Sequence, residues 1–167
     1  MVVIAGDRHG EAVMDVVDPA DSVLPAPGDP AIPSETPTTA DPGAAESLCT
    51  RNPDCDMHED SLADVLEAGR PAVLLFATPA FCQTAVCGPV VDTLEEVHRS
   101  TSWGDVAFIH CEIFQDAGET LLTAVEEWGL PTEPWLFAID ADGHIHARLD
   151  GPMLADELVG LVEDLRA

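Results

Sequence analysis

The segment that most constrains this chain runs from Val73 to Glu96, where an apolar run gives way to a helical pattern with two cysteines at the junction. Residues 73–77 have the length and composition of a strand covered on both faces, and apolar residues recur at helical spacing over 90–97. Cys82 and Cys87 lie between them. The unpaired N–H groups of a helix N-terminus favour a thiolate over a thiol. The segment therefore predicts an α/β core with a thiol site.

The chain carries a large negative charge. It has 32 Asp and Glu residues, 6 Arg residues and no Lys, which gives a formal charge of -26. Such a charge repels nucleic acid and anionic membrane surfaces, so we expect neither as a partner. An excess of carboxylates without lysine keeps a protein hydrated in concentrated salt. A halophilic source or an acidic proteome encoded by a GC-rich genome would each explain it.

The sequence gives conflicting indications of the cellular compartment. No apolar run approaches the roughly 20 residues of a transmembrane segment, and the first residues, MVVIAGDRHGEAV, lack the basic start of a signal peptide. These features favour the cytoplasm. Two close cysteine pairs, Cys49 with Cys55 and Cys82 with Cys87, suggest disulfides that persist in an oxidising compartment. An extracytoplasmic location follows if the chain is a fragment of an exported protein, so the location stays open.

Three parts are predicted along the chain. Residues 1–22 form a β-hairpin arm, with strands VVIAG and EAVMDVV joined by the turn-like DRHG. Residues 23–46 are rich in Pro, Gly, Ser and Thr without a period, which predicts a linker or an extended strap. Residues 47–167 form the compact domain, whose apolar patterns predict the order αβαβαββα, with Ser61 as the first N-cap. The predicted helices span about 61–69, 89–100, 121–128 and 154–165, and the predicted strands 71–77, 106–114, 135–140 and 144–149.

This order, with two cysteines after the first central strand, resembles the thioredoxin fold from Ser61 to the end of the chain. Phe76 resembles the aromatic residue that ends the central strand of the family, and Pro89 the proline that kinks its active-site helix. WGLPTEPWLF resembles the segment with the family's cis-proline, which would be Pro134, and DADGHIHARLDG resembles the hairpin that follows. The strings CTRNPDCDMH and FATPAFCQTAVCGPV, with a C-x4-C-G-P motif, resemble thioredoxin-domain proteins of bacteria and archaea that are often exported. The resemblance implies a central mixed sheet flanked by helices.

The resemblance also implies a dithiol–disulfide couple that acts on protein or small-molecule thiols and disulfides. Cys82 would attack a partner's disulfide, and Cys87 would resolve the mixed disulfide. A permanent structural bridge between the two is the alternative. A disulfide between Cys82 and Cys87 needs a non-helical segment between the two residues. In a regular helix, the Cα atoms of residues five apart lie about 8 Å apart, beyond the roughly 7 Å limit for a disulfide.

A peptide-binding groove is expected beside the cysteines. A cis bond before Pro134 would expose the preceding backbone to an extended peptide, and a trans proline at a strand start is the alternative. Phe81, Glu133 and Trp135 would line this groove. Thioredoxins carry a buried carboxylate where this chain has Leu75, so we expect His110 to accept the proton instead, unless it is a satisfied core histidine.

Cys49 and Cys55 most simply form a structural disulfide ahead of the domain. The alternative joins them with His58 as a soft-metal site, although C-x5-C with one nearby His lacks the spacing of zinc motifs. Cys111, on a strand, is expected to be a buried apolar residue.

Three functions fit these patterns. The first is a thiol–disulfide oxidoreductase that uses Cys82 and Cys87 and needs no cofactor. The second is a copper-binding or copper-delivery module in which His110 or His58 joins the two thiolates, because thiolates select Cu(I). The third is a non-catalytic interaction domain in which both cysteine pairs are structural.

Overall fold

The computed structural model describes residues 2–5 and 8–11 as two paired strands and residues 22–166 in full. β1, Val2–Ala5, pairs antiparallel with β2, Arg8–Glu11, and Ala5 lies opposite Arg8. β2 therefore uses residues that were predicted to form the turn. The predicted second strand over 11–17 falls outside the described residues from position 12 onward.

The central sheet has four strands in the order β4-β3-β5-β6. β3 spans Ala72–Phe76, β4 Ala107–Cys111, β5 Trp135–Ile139 and β6 Ile145–Asp150. β3 runs parallel to β4 and antiparallel to β5, which is antiparallel to β6. All residues of β3, β4 and β5 are buried, which explains their near-continuous apolar sequence.

In the part of the chain that the structure describes, four helices cover the two faces of the sheet. α1 spans Leu62–Glu67, α2 Cys87–Ser100, α3 Thr123–Trp128 and α4 Ala155–Asp164. The predicted α/β class, a mixed sheet flanked by helices, is confirmed. Among the described residues, no helix has the length and apolar character needed to cross a membrane.

Strand alternation divides the core into two layers. Val73 and Leu75 of β3 face α2 and α4, whereas Leu74 and Phe76 face α1 and α3. The amphipathic pattern that predicted α2 is the buried side of that helix, formed by Val90, Val91, Leu94 and Val97. The first layer therefore lies directly under the helix that begins at Cys87.

The Pro-rich segment 22–46 runs as a strap over the sheet and α1. Its Gly28 N–H donates to the carbonyl of Ile145 at 2.8 Å, and Ser34 Oγ accepts from Trp128 Nε1 at 3.1 Å. Thr36 Oγ1 accepts from the N–H of Leu62 at 3.0 Å. The strap thus provides a hydrogen-bond acceptor for the first backbone N–H group of α1. Ser61 is the N-cap residue, as predicted, but its hydroxyl makes no capping bond.

Candidate functional site

Cys82 and Cys87 meet at the N-terminus of α2. Cys87 is the first residue of the helix and is fully buried, whereas Cys82 is half-buried in the preceding turn. The N–H of Cys82 donates to the carbonyl of Thr78 at 3.0 Å, and Ala85 adopts a φ of 57°. The intervening segment is therefore a turn. It brings the two sulfurs and a carboxylate oxygen of Glu133 within 4.8 Å of one another.

The two thiols have opposite pKa shifts. Burial raises the pKa of Cys82, but hydrogen bonds from the Cys87 thiol, from the Thr84 hydroxyl and from the backbone N–H groups of both residues outweigh it, and the pKa falls to about 7. The Thr84 oxygen lies 3.3 Å from the sulfur. Burial and the adjacent Cys82 sulfur raise the pKa of Cys87 to about 12. Near neutral pH, Cys82 is thus the readily ionised thiol and Cys87 remains protonated.

Glu133 lies beside this pair and immediately before Pro134. The peptide bond between Glu133 and Pro134 is cis. Burial raises the pKa of the Glu133 carboxyl, although the backbone N–H of Gln83 donates to it and opposes the shift. A partly buried carboxyl next to a protonated thiol is suited to proton exchange with it. Sequence reasoning assigned Glu133 to the groove only, since nothing in the pattern fixed its distance from the sulfurs.

His110 does not take the role predicted for it beside Cys82 and Cys87. Its Nε2 lies 3.1 Å from the carbonyl oxygen of Ala77, and its Nδ1 lies 3.3 Å from the sulfur of Cys55. Both ring nitrogens are therefore engaged elsewhere. The reason is that the 49–58 loop packs against the end of β4 and meets His110 there, since the His110 N–H donates to the carbonyl of Met57 at 2.8 Å.

The predicted groove residues separate into exposed and buried ones. Phe81 is 37% exposed and packs edge-on against Phe114, with ring centroids 6.2 Å apart. The two rings line a small cavity of about 160 Å³. Trp135 is only 6% exposed and stacks on Phe137, while Arg148 covers its ring at 5.4 Å. Trp135 therefore offers little of its ring to a peptide, because the ring packs in the core against Phe137.

A second cluster joins Cys49, Cys55, His58 and His110. All four are buried, and their donor atoms lie within 4.8 Å of one another. The two sulfurs are 3.7 Å apart, far beyond the about 2.05 Å of a disulfide, so the predicted structural disulfide is not formed in this structure. The hydrogen bond between the two thiols lowers the pKa of Cys49, whereas that bond and burial raise the pKa of Cys55.

Sequence reasoning placed His58 near this cysteine pair as an alternative but missed His110. The 51 residues between the two histidines hide their proximity, and the resemblance directed His110 toward Cys82 and Cys87. The parallel pairing of β3 with β4, with Leu75 opposite His110, is what fixes its position.

The structure is similar to several solved structures, among them proteins described as thiol:disulfide interchange proteins or disulfide oxidoreductases. A thiol:disulfide interchange protein of the thioredoxin family from Chlorobium tepidum TLS aligns with a TM-score of 0.54 and 15% identity over 87% of this chain and 99% of that one. StoA from Bacillus subtilis aligns with a TM-score of 0.54 and 14% identity over 79% and 98%. A secreted Mycobacterium tuberculosis disulfide oxidoreductase homologous to E. coli DsbE aligns with a TM-score of 0.50 and 23% identity over 64% and 88%. The sequence matches no protein-family model and no curated protein.

Proposed function

Since this chain has a thioredoxin-like fold, we propose that it is a thiol–disulfide oxidoreductase whose redox couple is Cys82 and Cys87. The observation that carries the proposal is the convergence of these two sulfurs at the start of α2, within 4.8 Å of each other. Cys82 is partly accessible and Cys87 is buried, which is the asymmetry that an attacking and a resolving thiol require.

The exchange proceeds in two steps. The Cys82 thiolate attacks one sulfur of a partner's disulfide, so that a Cys82–partner bond forms and the partner's own bond breaks, releasing one thiolate. Cys87 then loses its proton and attacks the Cys82 sulfur, which forms the Cys82–Cys87 disulfide and releases the second partner thiolate. The partner is reduced by two electrons and the chain is oxidised by two. The same steps in reverse would oxidise a partner dithiol.

Glu133 accepts the Cys87 proton in the second step of this proposal. Its carboxylate oxygen is within 4.8 Å of both sulfurs, and its pKa is raised by burial. A raised carboxyl pKa narrows the gap to the thiol pKa of about 12 and so favours proton transfer. In this proposal, Glu133 takes the proton-accepting role of the buried carboxylate that thioredoxins carry at the position of Leu75.

The copper alternative has weaker support. In the described part of the chain, the donor group around Cys82 and Cys87 includes the Glu133 carboxylate, a hard ligand that Cu(I) does not prefer. The two histidines proposed to join it, His58 and His110, lie with the other cysteine pair instead. A non-catalytic domain is likewise less well supported, because it gives no reason for a thiol pKa near 7 at Cys82.

A graded thiol redox buffer tests the proposal directly. The full chain is equilibrated across ratios of reduced to oxidised glutathione, alkylated, and analysed by peptide mass spectrometry. We expect reversible formation of the Cys82–Cys87 bridge and a mixed disulfide on Cys82 in Cys87→Ser. Cys111→Ala serves as the control variant, because the buried Cys111 thiol lies outside the couple. A bridge that never opens, or protection of both thiols by Cu(I) alone, would overturn the proposal.

A further inference from the structure

We propose that Cys49, Cys55, His58 and His110 form a closed structural site for Zn²⁺. This inference goes beyond the proposed redox function and does not depend on it. The four donor atoms lie within 4.8 Å of one another, and each comes from a side chain that is less than a tenth exposed. Two thiolates and two imidazoles are a donor set that Zn²⁺ takes in structural sites.

Four of the six distances between donor atoms are close to the edges of a zinc tetrahedron. Zn–S bonds of about 2.3 Å at tetrahedral angles place two sulfurs about 3.8 Å apart, and Zn–N bonds of about 2.0 Å place sulfur and nitrogen about 3.5 Å apart. The Cys49 and Cys55 sulfurs are 3.7 Å apart. His58 Nε2 lies 3.2 Å from the Cys55 sulfur, and His110 Nδ1 lies 3.3 Å and 3.8 Å from the sulfurs of Cys55 and Cys49.

The His110 ring is held in the tautomer that a metal needs. Its Nε2 is 3.1 Å from the carbonyl oxygen of Ala77, which can only accept a hydrogen bond, so the proton resides on Nε2. The lone pair of Nδ1 is then directed at the two sulfurs. A backbone carbonyl that binds the second nitrogen of a histidine is a common outer-shell partner of zinc ligands.

Backbone contacts hold the ligands in place from several directions. The His110 N–H donates to the Met57 carbonyl at 2.8 Å, which ties the 49–58 loop to β4. The N–H of Thr39, in the strap, donates to the His58 carbonyl at 2.9 Å. The N–H of Cys55 points at the Cys49 sulfur at 3.5 Å. The strap, the loop and the edge strand therefore all converge on one buried point.

Charge balance favours a divalent ion. Two thiolates with Zn²⁺ and two neutral imidazoles have no net charge, which suits a site without solvent access. Cu(I) would leave one negative charge there. That charge would lie near the buried Glu112, whose Oε1 is 4.0 Å from His110 Nε2. Four protein ligands also leave no open position for a substrate, so the site is structural rather than catalytic.

Metal content and Co²⁺ spectroscopy test the site. The full chain, produced without a histidine tag and purified under reducing conditions, should contain one equivalent of zinc. Co²⁺ substitution should give the visible bands of a tetrahedral ion and a thiolate-to-cobalt charge-transfer band, and X-ray absorption of the zinc form should show two sulfur and two nitrogen neighbours. A chain that takes up no stoichiometric Zn²⁺ or Co²⁺, or that takes up Cu(I) alone, would overturn the proposal.

Variants assign the ligands and separate this site from the redox couple. His110→Gln and Cys55→Ser should each weaken Zn²⁺ binding by more than about 100-fold, since even outer-shell changes cost about 10 to 100-fold. His144→Gln, which alters an exposed histidine, and the double variant Cys82→Ser/Cys87→Ser should keep one equivalent. Equal loss in those controls would contradict the assignment. Should a ligand variant fail to fold, the two-sulfur, two-nitrogen shell of the wild-type zinc form decides the question.

Discussion

The guanidinium of Arg51 lies 3.0 Å from the carboxylate of Glu95, a side chain of α2 that is almost fully buried. Arg51 also binds the exposed Asp92 at 2.6 Å. One arginine therefore ties the loop that carries the Cys49–Cys55 pair to the helix that begins at the redox cysteines. This contact joins the two segments that carry the candidate sites.

Replacing Arg51 with Met should destabilise the fold by about 1.5 to 3 kcal/mol, because it removes one charged hydrogen-bond partner of the buried Glu95 carboxylate, which keeps Arg99 at 2.9 Å. Urea unfolding followed by far-ultraviolet circular dichroism measures the loss. Asp92→Asn removes the exposed partner of the same arginine and should cost less than about 1 kcal/mol. Equal losses in both variants would show that burial of Glu95 is not what makes the contact important.

Alkylation of Cys82 should rise with pH and reach half of its maximal rate near pH 7, because the thiolate reacts and the pKa of Cys82 is about 7. Below that pH the thiol predominates and the rate falls tenfold per unit. Cys87, with a pKa of about 12, should stay unmodified throughout. Iodoacetamide labelling of the reduced chain, with peptide mass spectrometry, resolves the two sites.

The Thr84 hydroxyl is one source of the low Cys82 pKa, since its oxygen lies 3.3 Å from the sulfur. Thr84→Val should raise that pKa and slow labelling at pH 7 by about twofold to fivefold, the effect of a shift of about half a unit to one unit from a pKa of about 7. Thr93→Val is the matched control, because Thr93 Oγ1 donates to the Pro89 carbonyl and not to a cysteine. An unchanged profile in Thr84→Val would leave the hydroxyl without a role.

Glu133→Gln should slow the resolving step by about 100-fold, the lower range for loss of a general base, while Cys82 still attacks. The step is measured by loading Cys82 with thionitrobenzoate and recording the absorbance of the released thiolate as Cys87 attacks. In the wild type this rate should fall as pH drops through the raised pKa of Glu133, since only the carboxylate accepts a proton. Glu126→Gln, an exposed change on α3, is the control. Loss of attack and resolution together would instead indicate a structural role.

The fold of residues 61–166 could be predicted because each element carries a local signal. β3 is a continuous apolar run because both of its faces are covered, and α2 shows its buried stripe at helical spacing. The ADG turn joins β5 to β6, as a hairpin signal should. The thiol pair could be located for the same reason, since it sits at the boundary between two such elements.

The partners of the thiols could not be predicted, because they come from distant parts of the chain. Glu133 reaches the cysteines only after β5 pairs with β3, and His110 meets Cys55 only where a loop packs on the sheet edge. Ser61 shows the same limit, since it is the N-cap residue of α1, as the sequence indicates, yet the hydroxyl that accepts a hydrogen bond from the first turn is that of Thr36, 25 residues earlier. Tertiary contacts decide these roles, and no spacing encodes them.

One buried hydrogen bond of the strap should contribute measurably to the stability of the fold. Ser34 Oγ accepts from Trp128 Nε1 at 3.1 Å, and both side chains are almost fully buried. Ser34→Ala would leave the indole N–H unpaired, so we expect a loss of about 1 to 3 kcal/mol in the free energy of unfolding. Thr39→Ala, on the same strap, is the matched control, because Thr39 is exposed and its contact with His58 uses the backbone N–H. Urea unfolding of both variants makes the comparison. If Ser34→Ala matches the wild type, the strap is held by apolar packing and by its backbone bonds to Ile145, and the indole contact contributes nothing measurable.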